Sequence, residues 1–324
     1  MMLSFDETSS LIRSGKFLHI AGAGDLLRKL PQGDWVGGST EYFMAEGGGI
    51  TTGEYLFVTE FDGIALEYKI CSYDAGSIAD IALDAYEHGF SVVILPFDSG
   101  IHKAYAENAP EYRDIFMKNI TGWISGINIG KPGQVPAAAN GQTGEVFTDK
   151  AVAAHIRVPD GRAVSVGIVN IFSPDENSPV IEFSGEAAKS FSVETCFIDG
   201  KETNLADYLE QNKVDTRLPL IGDYAGAGVN VSIRAVEGGA VNLYAPVFPD
   251  ICYRFAKPVD YLGEFQARLK ALGDIKAAFS CNCVLNFLHG ELEGKEVSSL
   301  FGPITFGEIA YQLVNQTLVY VTVL

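Results

Sequence analysis

Two cysteines one residue apart, in Cys281-Asn282-Cys283, are the residues of this chain best suited to covalent chemistry. On a strand they point to one face and Asn282 to the other. Either thiol could act as a nucleophile if the fold brought a base and an oxyanion cradle to it. The same pair also reads as two small buried side chains. A tetrahedral zinc site needs more: Cys-x-Cys has no second pair at usable spacing, and His289 is the only imidazole near it in the chain. The five histidines (His19, His88, His102, His155 and His289) form no HExxH or other ligand pattern, so neither metal nor cofactor is expected. Ala21-Gly22-Ala23-Gly24 has the strand-to-helix context of a phosphate-gripping turn. Leu27 stands where the third glycine of Gly-x-Gly-x-x-Gly belongs, so an ordinary tight turn is the better reading. Gly37-Gly38 precede Ser39-Thr40. Hydroxyls beside open backbone N–H groups make a cup for a carboxylate, or a Ser/Thr turn that holds nothing.

Several elements must position these groups. Lys16–Ala21 and Asp34–Gly38 read as strands around a short helix, Asp25–Leu30. Glu54–Phe61 and Ile64–Ser72 flank Asp62-Gly63, a hairpin signature because a type I′ turn needs positive φ at both central residues. Ser77–His88 carries Ile78, Ile81, Ala82 and Ala85 on one helical face and ends at Gly89, before a buried strand at Ser91–Phe97. Ser99–Asn108 reads as helical, and the Pro- and Gly-rich stretch 131–144 as a linker. Beyond it come strands at Ala153–Val158, Ala163–Phe172 and Ser190–Ile198, and a helix at Leu205–Gln211. Val229–Val236 and Ala240–Phe248 flank Gly238-Gly239 as a second hairpin. A helix at Val259–Leu272 and a strand at Ala277–Phe287 follow. Hairpin, helix and strand thus occur twice, each time after a Gly-rich approach, Trp35–Thr40 or Ile221–Gly226. The expectation is an α/β protein of α+β character, in two pseudo-duplicated halves with mixed or antiparallel sheets flanked by helices.

Composition bounds the function. The chain has 324 residues, 47% of them hydrophobic, enough for a sizeable core in about two domains. Its net charge of -18 repels phosphate backbones and anionic lipid, so nucleic acid and membrane are poor partners. Five cysteines in so long a chain are no disulfide framework, and the first residues lack the basic and apolar regions of a signal peptide. The longest apolar runs, Ser91–Phe97 and Thr317–Leu324, fall short of the ~20 residues a membrane helix needs. A reducing cytoplasm is expected.

Phe279-Ser280-Cys281-Asn282, then Gly302-Pro303-Ile304-Thr305-Phe306-Gly307-Glu308-Ile309, then Asn315-Gln316-Thr317-Leu318-Val319 resembles the C-terminal part of the FIST domain (F-box and intracellular signal transduction proteins). Val36-Gly37-Gly38-Ser39-Thr40 is similar to the Gly-x-Ser/Thr-Thr turn of the N-terminal FIST half. Cys283-Val284 replaces the family's Gly-Arg, and Phe306 replaces a tyrosine. The resemblance implies an N-like half over 1–145 and a C-like half over 146–324. It implies a sensory module for amino acids or related metabolites, not an enzyme, that signals through a separate protein. On that reading Glu308 would face a ligand ammonium, and Ser39, Thr40, Asn282 and Asn315 would supply neutral hydrogen bonds; Glu308 equally reads as a structural acceptor that ties down a turn. The alternative is a cysteine-dependent hydrolase or transferase using Cys281 or Cys283 between the two halves. A third reading is a scaffold that binds protein through an apolar face.

Overall fold

A computed structural model describes residues 1–185, 189–224, 226–273, 275–297 and 299–324. The protein is a mixed α/β fold, 19% helical and 42% strand. It divides into a larger unit (1–169, 265–313 and 317–324) and a smaller one (170–264 and 314–316). The division expected at 145/146 falls inside the larger unit.

One order of elements occurs three times in the larger unit. The first copy runs β1 (Met2–Leu3), α1 (Phe5–Arg13), β2 (Leu18–Gly22), α2 (Gly24–Leu27), β3 (Trp35–Ser39), β4 (Tyr42–Ala45), β5 (Gly48–Thr51) and β6 (Leu56–Glu60). The second runs β7 (Glu67–Tyr73), α3 (Ile81–Asp84), β8 (Gly89–Pro96), α4 (Gly100–Asn108), β9 (Ile120–Ser125), β10 (Ala138–Asn140), β11 (Glu145–Phe147) and β12 (Ala151–Arg157). The third opens with β13 (Val164–Asn170).

The chain then builds the smaller unit. Its strands are β14 (Ile181–Glu182), β15 (Ser190–Val193), β16 (Thr195–Ile198), β17 (Lys201–Asn204), β18 (Leu220–Tyr224), β19 (Ala227–Val231), β20 (Ile233–Glu237), β21 (Ala240–Val247) and β22 (Tyr253–Phe255), with α5 (Leu205–Gln211) after β17. They form a six-stranded and a three-stranded sheet, and the strand pairings among their described residues are antiparallel. The β20–β21 hairpin turns on Gly238-Gly239 at φ 62° and 83°, as its sequence requires. The third copy resumes with α6 (Tyr261–Leu272), β23 (Ala277–Cys283), α7 (Val284–His289), β24 (Gly302–Thr305), β25 (Glu308–Ala310), β26 (Gln312–Val314) and β27 (Thr317–Val323).

Each copy centres on one parallel pair: β2 with β3, β8 with β9, β23 with β24. An antiparallel strand from the same copy flanks each pair: β6, β12 or β27. The other flank is borrowed. The hairpin that follows each pair leaves its own sheet, so β4 joins β24, β10 joins β3 and β25 joins β9. Three six-stranded sheets result, linked in a cycle. The ladders align Gly37, Gly122 and Gly302 as equivalent residues. A Cβ on any of them would strike the neighbouring strand's carbonyl, that of Ile20, Val93 or Ser280 respectively. Glycine is needed there for close strand approach.

Local chemistry explains most elements. Ser4 and Glu7 form a capping box on α1. Ser99 accepts from the His102 N–H to cap α4. Gly273, at φ +71°, follows the C-terminus of α6. β8 is apolar except for Ser91 because both its faces are buried.

Five expectations change. Asp62-Gly63 makes no hairpin: neither residue has positive φ, the Asp62 carboxylate accepts from the Phe17 N–H, and β6 and β7 lie in different sheets. The helix expected over 77–88 is a 3-10 turn (Ile78–Asp80) plus α3, and the chain is extended at Ala85. The strand expected to reach Phe287 stops at Cys283, where α7 starts. The supposed linker contains β10, whose Ala138–Asn140 are buried between β3 and β11. The Ile221–Gly226 stretch lies in the smaller unit, with residue 225 outside the described residues, so it is no counterpart of β3. The true recurrence is helix then strand (α3–β8 and α6–β23), with α1–β2 as a third copy.

Gly302→Ala should cost about 2–4 kcal/mol in urea unfolding, because the Ser280 carbonyl lies on a backbone that cannot step aside. Gly63→Ala, with open space around it, should change stability by less than about 1 kcal/mol.

Candidate functional site

The three copies meet at the carboxyl ends of β3, β9 and β24. Ser39, Ile124 and Ile304 are equivalent by strand register, and each carbonyl accepts a bond from another copy. The donors are the Gly126 N–H (2.7 Å), the Phe306 N–H (2.9 Å) and the Thr40 hydroxyl (2.7 Å). The ring is closed but not symmetric. Glu41 occupies the place held by Gly126 and Phe306 in the other copies. The Phe306 ring packs on Gly126 and on Phe97, filling that side with apolar atoms.

The second copy also differs in length. Gly38 is five residues from Phe43 and Pro303 is five from Glu308, but Trp123 is fifteen from the equivalent Ala138. The ten extra residues form a loop whose two ends are fastened on Ser39. The Ser39 hydroxyl donates to the Gly126 carbonyl and accepts from the Ala137 N–H, both at 2.8 Å.

This loop walls a cavity of about 990 Å³. Ala23, Gly24, Asp25, Leu26 and Arg28 line it after β2, and Ser39, Thr40 and Glu41 line it after β3. The β5–β6 connection adds Thr51, Thr52, Gly53 and Glu54, and the loop adds Gly126 to Asn128 and Lys131 to Val135. The ends of parallel strands are the usual place for a ligand in α/β sheets.

Glu41 is the chemical centre of the wall. Its residue is 3% exposed. Lys131 Nζ (2.7 Å) and Asn128 Nδ2 (2.9 Å) donate to Oε2, and Gln134 Nε2 (2.7 Å) donates to Oε1. Burial alone would raise the carboxyl, but these three donors and the lysine charge outweigh it and hold it below its ordinary range. Gln134 Oε1 in turn accepts from the Asn128 N–H, and the Tyr42 hydroxyl accepts from the Ile129 N–H. Thr51 Oγ1 faces the same region with no partner within the described residues. Lys131 and Arg28 bring positive charge to the wall; Asp25, Glu41 and Glu54 bring negative charge.

Of the residues singled out from the sequence, Ser39 and Thr40 line this cavity, but their hydroxyls are already engaged by backbone partners. The Gly22–Gly24 turn contributes Ala23 and Gly24 to its wall. Glu308, Asn282, Cys281 and Cys283 are buried elsewhere in the larger unit, outside the wall, and Asn315 belongs to the smaller unit. Asn282 Oδ1 accepts from Asn286 Nδ2, and the Asn315 carbonyl accepts from Asn230 Nδ2. Glu41, Asn128, Lys131 and Gln134 were not singled out. The available signal was an acid directly after Ser39-Thr40 and at the entry to the apolar run Tyr42-Phe43-Met44.

Glu308 is fully buried in the larger unit. Burial raises it to about 8, against hydrogen bonds from Thr317, Thr305 and Cys283. The Thr305 hydroxyl donates to Glu308 Oε1 (2.9 Å), and the Thr317 N–H (3.2 Å) and hydroxyl (2.8 Å) donate to Oε2. The paired thiols are equally enclosed. Cys281 donates to Gly122 O, and burial pushes its pKa well above the usual thiol value. That is opposite to what a nucleophile needs.

With this geometry in hand, the chain can be assigned: it belongs to the family of unknown function DUF6976, whose family model matches residues 3–324. No curated protein and no solved structure matches it. Among the described residues no helix is long and apolar enough to cross a membrane.

Because its folded pKa is raised, Glu308 favours folding fully below about 4.5, and this contribution is lost as pH rises to about 8. Relative to wild type, Glu308→Gln should flatten the fall in unfolding free energy across that window, by at most about 1.4 kcal/mol per pH unit. Urea melts from pH 4.5 to 8.5 read the difference. Native thiol labelling at pH 8 should modify the exposed Cys252 first and Cys71 more slowly. Cys196, Cys281 and Cys283 should react only after unfolding.

Proposed function

We propose that this protein binds a small polar metabolite in the cavity at the carboxyl ends of β2, β3 and β9, as a sensory module does, rather than turning it over. One observation carries the reading. The second copy spends ten extra residues on a loop that only it has, and those residues are fastened to Ser39 and Glu41 so that they enclose space where the third copy places Phe306. A buried carboxylate with three donors is a costly way to hold an ordinary surface loop. A wall carrying both cations and carboxylates favours a ligand with both charges, and the amino-acid class implied by the FIST resemblance meets that requirement. Arg28, which lines the cavity, would receive the ligand's carboxylate, and Asp25 or Glu54 its ammonium. The acidic, cytoplasmic character expected from the sequence fits a ligand-loaded protein that passes its state to a separate signalling protein.

Thermal-shift and calorimetric titration with a panel of amino acids tests this. At 100 times Kd a ligand should stabilise the protein by about 2.7 kcal/mol. Arg28→Ala should weaken that ligand at least tenfold, and Cys281→Ser should leave its affinity unchanged. A panel with no binder, or equal affinity in Arg28→Ala, would reject the amino-acid site.

A further inference from the structure

A second cluster lies in the second copy of the larger unit, away from the cavity wall. Cys71 sits on β7 opposite Ala153 of β12, so His155, two residues along β12, is its diagonal neighbour on the same face. Asp84, the last residue of α3, comes to the same point. The Cys71 sulfur, an Asp84 oxygen and a His155 ring nitrogen all lie within 4.8 Å of one another. The Tyr73 hydroxyl stands among them, 2.8 Å from Asp84 Oδ2 and 2.7 Å from His155 Nε2, and it also bonds Cys71. The far nitrogen of the ring, Nδ1, is 2.7 Å from the buried Ser91 hydroxyl. A histidine held at its second nitrogen in this way is pre-oriented as a metal ligand. Cys71 and Asp84 are only half-buried, which leaves a route from solvent. Lys69, on the same face of β7, holds its ammonium over the Tyr86 ring, 5.3 Å from the centroid.

We propose that Cys71, Asp84 and His155 form a binding site for a zinc-class divalent ion. The sulfur, nitrogen and oxygen donors match the preference of Zn²⁺ for mixed N, S and O ligands. Zinc bonds of about 2.0–2.3 Å place tetrahedral donors roughly 3.3–3.8 Å apart, so side-chain adjustments of about 1 Å close the set. Binding replaces the thiol proton of Cys71, which leaves as one H⁺. The ion takes the Nε2 lone pair of His155 while Nδ1–H donates to Ser91, and Asp84 binds as the carboxylate. The Tyr73 oxygen moves aside or, with a water molecule, competes for the fourth position.

The test uses the full chain after chelator treatment and dialysis, titrated with Zn²⁺ alone and, as a spectroscopic probe, with Co²⁺. One equivalent should bind, with a thiolate-to-cobalt charge-transfer band, and Zn²⁺ should slow alkylation of Cys71 in the wild-type protein at least tenfold. Cys71→Ser should abolish the charge-transfer band, Asp84→Asn should weaken binding at least tenfold, and Cys252→Ser should change neither. Circular dichroism melts establish that each variant is folded. No stoichiometric binding, a charge-transfer band that survives in Cys71→Ser, or Cys71 alkylation unchanged by Zn²⁺ would each overturn the site. The alkylation measurement needs no variant, so a variant that fails to fold leaves the outcome decided.

Discussion

The larger unit depends on three backbone carbonyls, those of Ser39, Ile124 and Ile304, each accepting a hydrogen bond from a different copy of the same element order. Buried carbonyls at strand ends need partners. Here the partners can come only from the next copy, so no copy completes its own sheet. The hairpins enforce the same rule at longer range, since each leaves its sheet to edge the neighbour's. Closing the cycle gives each parallel pair an antiparallel strand on both sides, which leaves few bare sheet edges near the centre. The glycines at 37, 122 and 302 belong to this constraint. Each permits the approach of the strand whose carbonyl would strike a Cβ.

Departure from symmetry is what makes the cavity. Where Phe306 fills one junction with apolar atoms, Glu41 leaves another polar and open, and the ten extra residues after β9 fold over it. The loop could not stay against the sheet through apolar contact alone, because its sequence, from Gly126 to Pro136, offers few large side chains. Polar anchors replace them. Ser39 ties both ends, Glu41 gathers Asn128, Lys131 and Gln134, and the Tyr42 hydroxyl accepts from the Ile129 N–H.

The two buried glutamates show how environment sets charge. Glu41 and Glu308 both lose solvent. Glu41 meets a lysine and two amides and stays ionised; Glu308 meets hydroxyls, a backbone N–H and a thiol, and burial prevails, raising it to about 8. Glu308 ties the root of β25 to that of β27 through Thr317, whereas Glu41 is engaged in holding the loop that walls the cavity.

By itself the sequence determined the fold class, most strand positions, the α5 and α4 helices, the Gly238-Gly239 hairpin and the helix-then-strand recurrence. These depend on periodicity, capping and turn chemistry within about a dozen residues, all of which a linear reading contains. It also isolated Ser39 and Thr40 at the edge of the cavity. Only the tertiary structure decided that β6 and β7 part company, that stretch 131–144 is a cavity wall and a buried strand instead of a linker, and that there are three copies. Strand partners are chosen by hydrogen bonds to segments up to 264 residues away, as between Thr40 and Ile304, and nothing local encodes them. The same holds for Glu41 and Glu308, two acids alike in sequence whose ionisation is set by which donors the fold delivers.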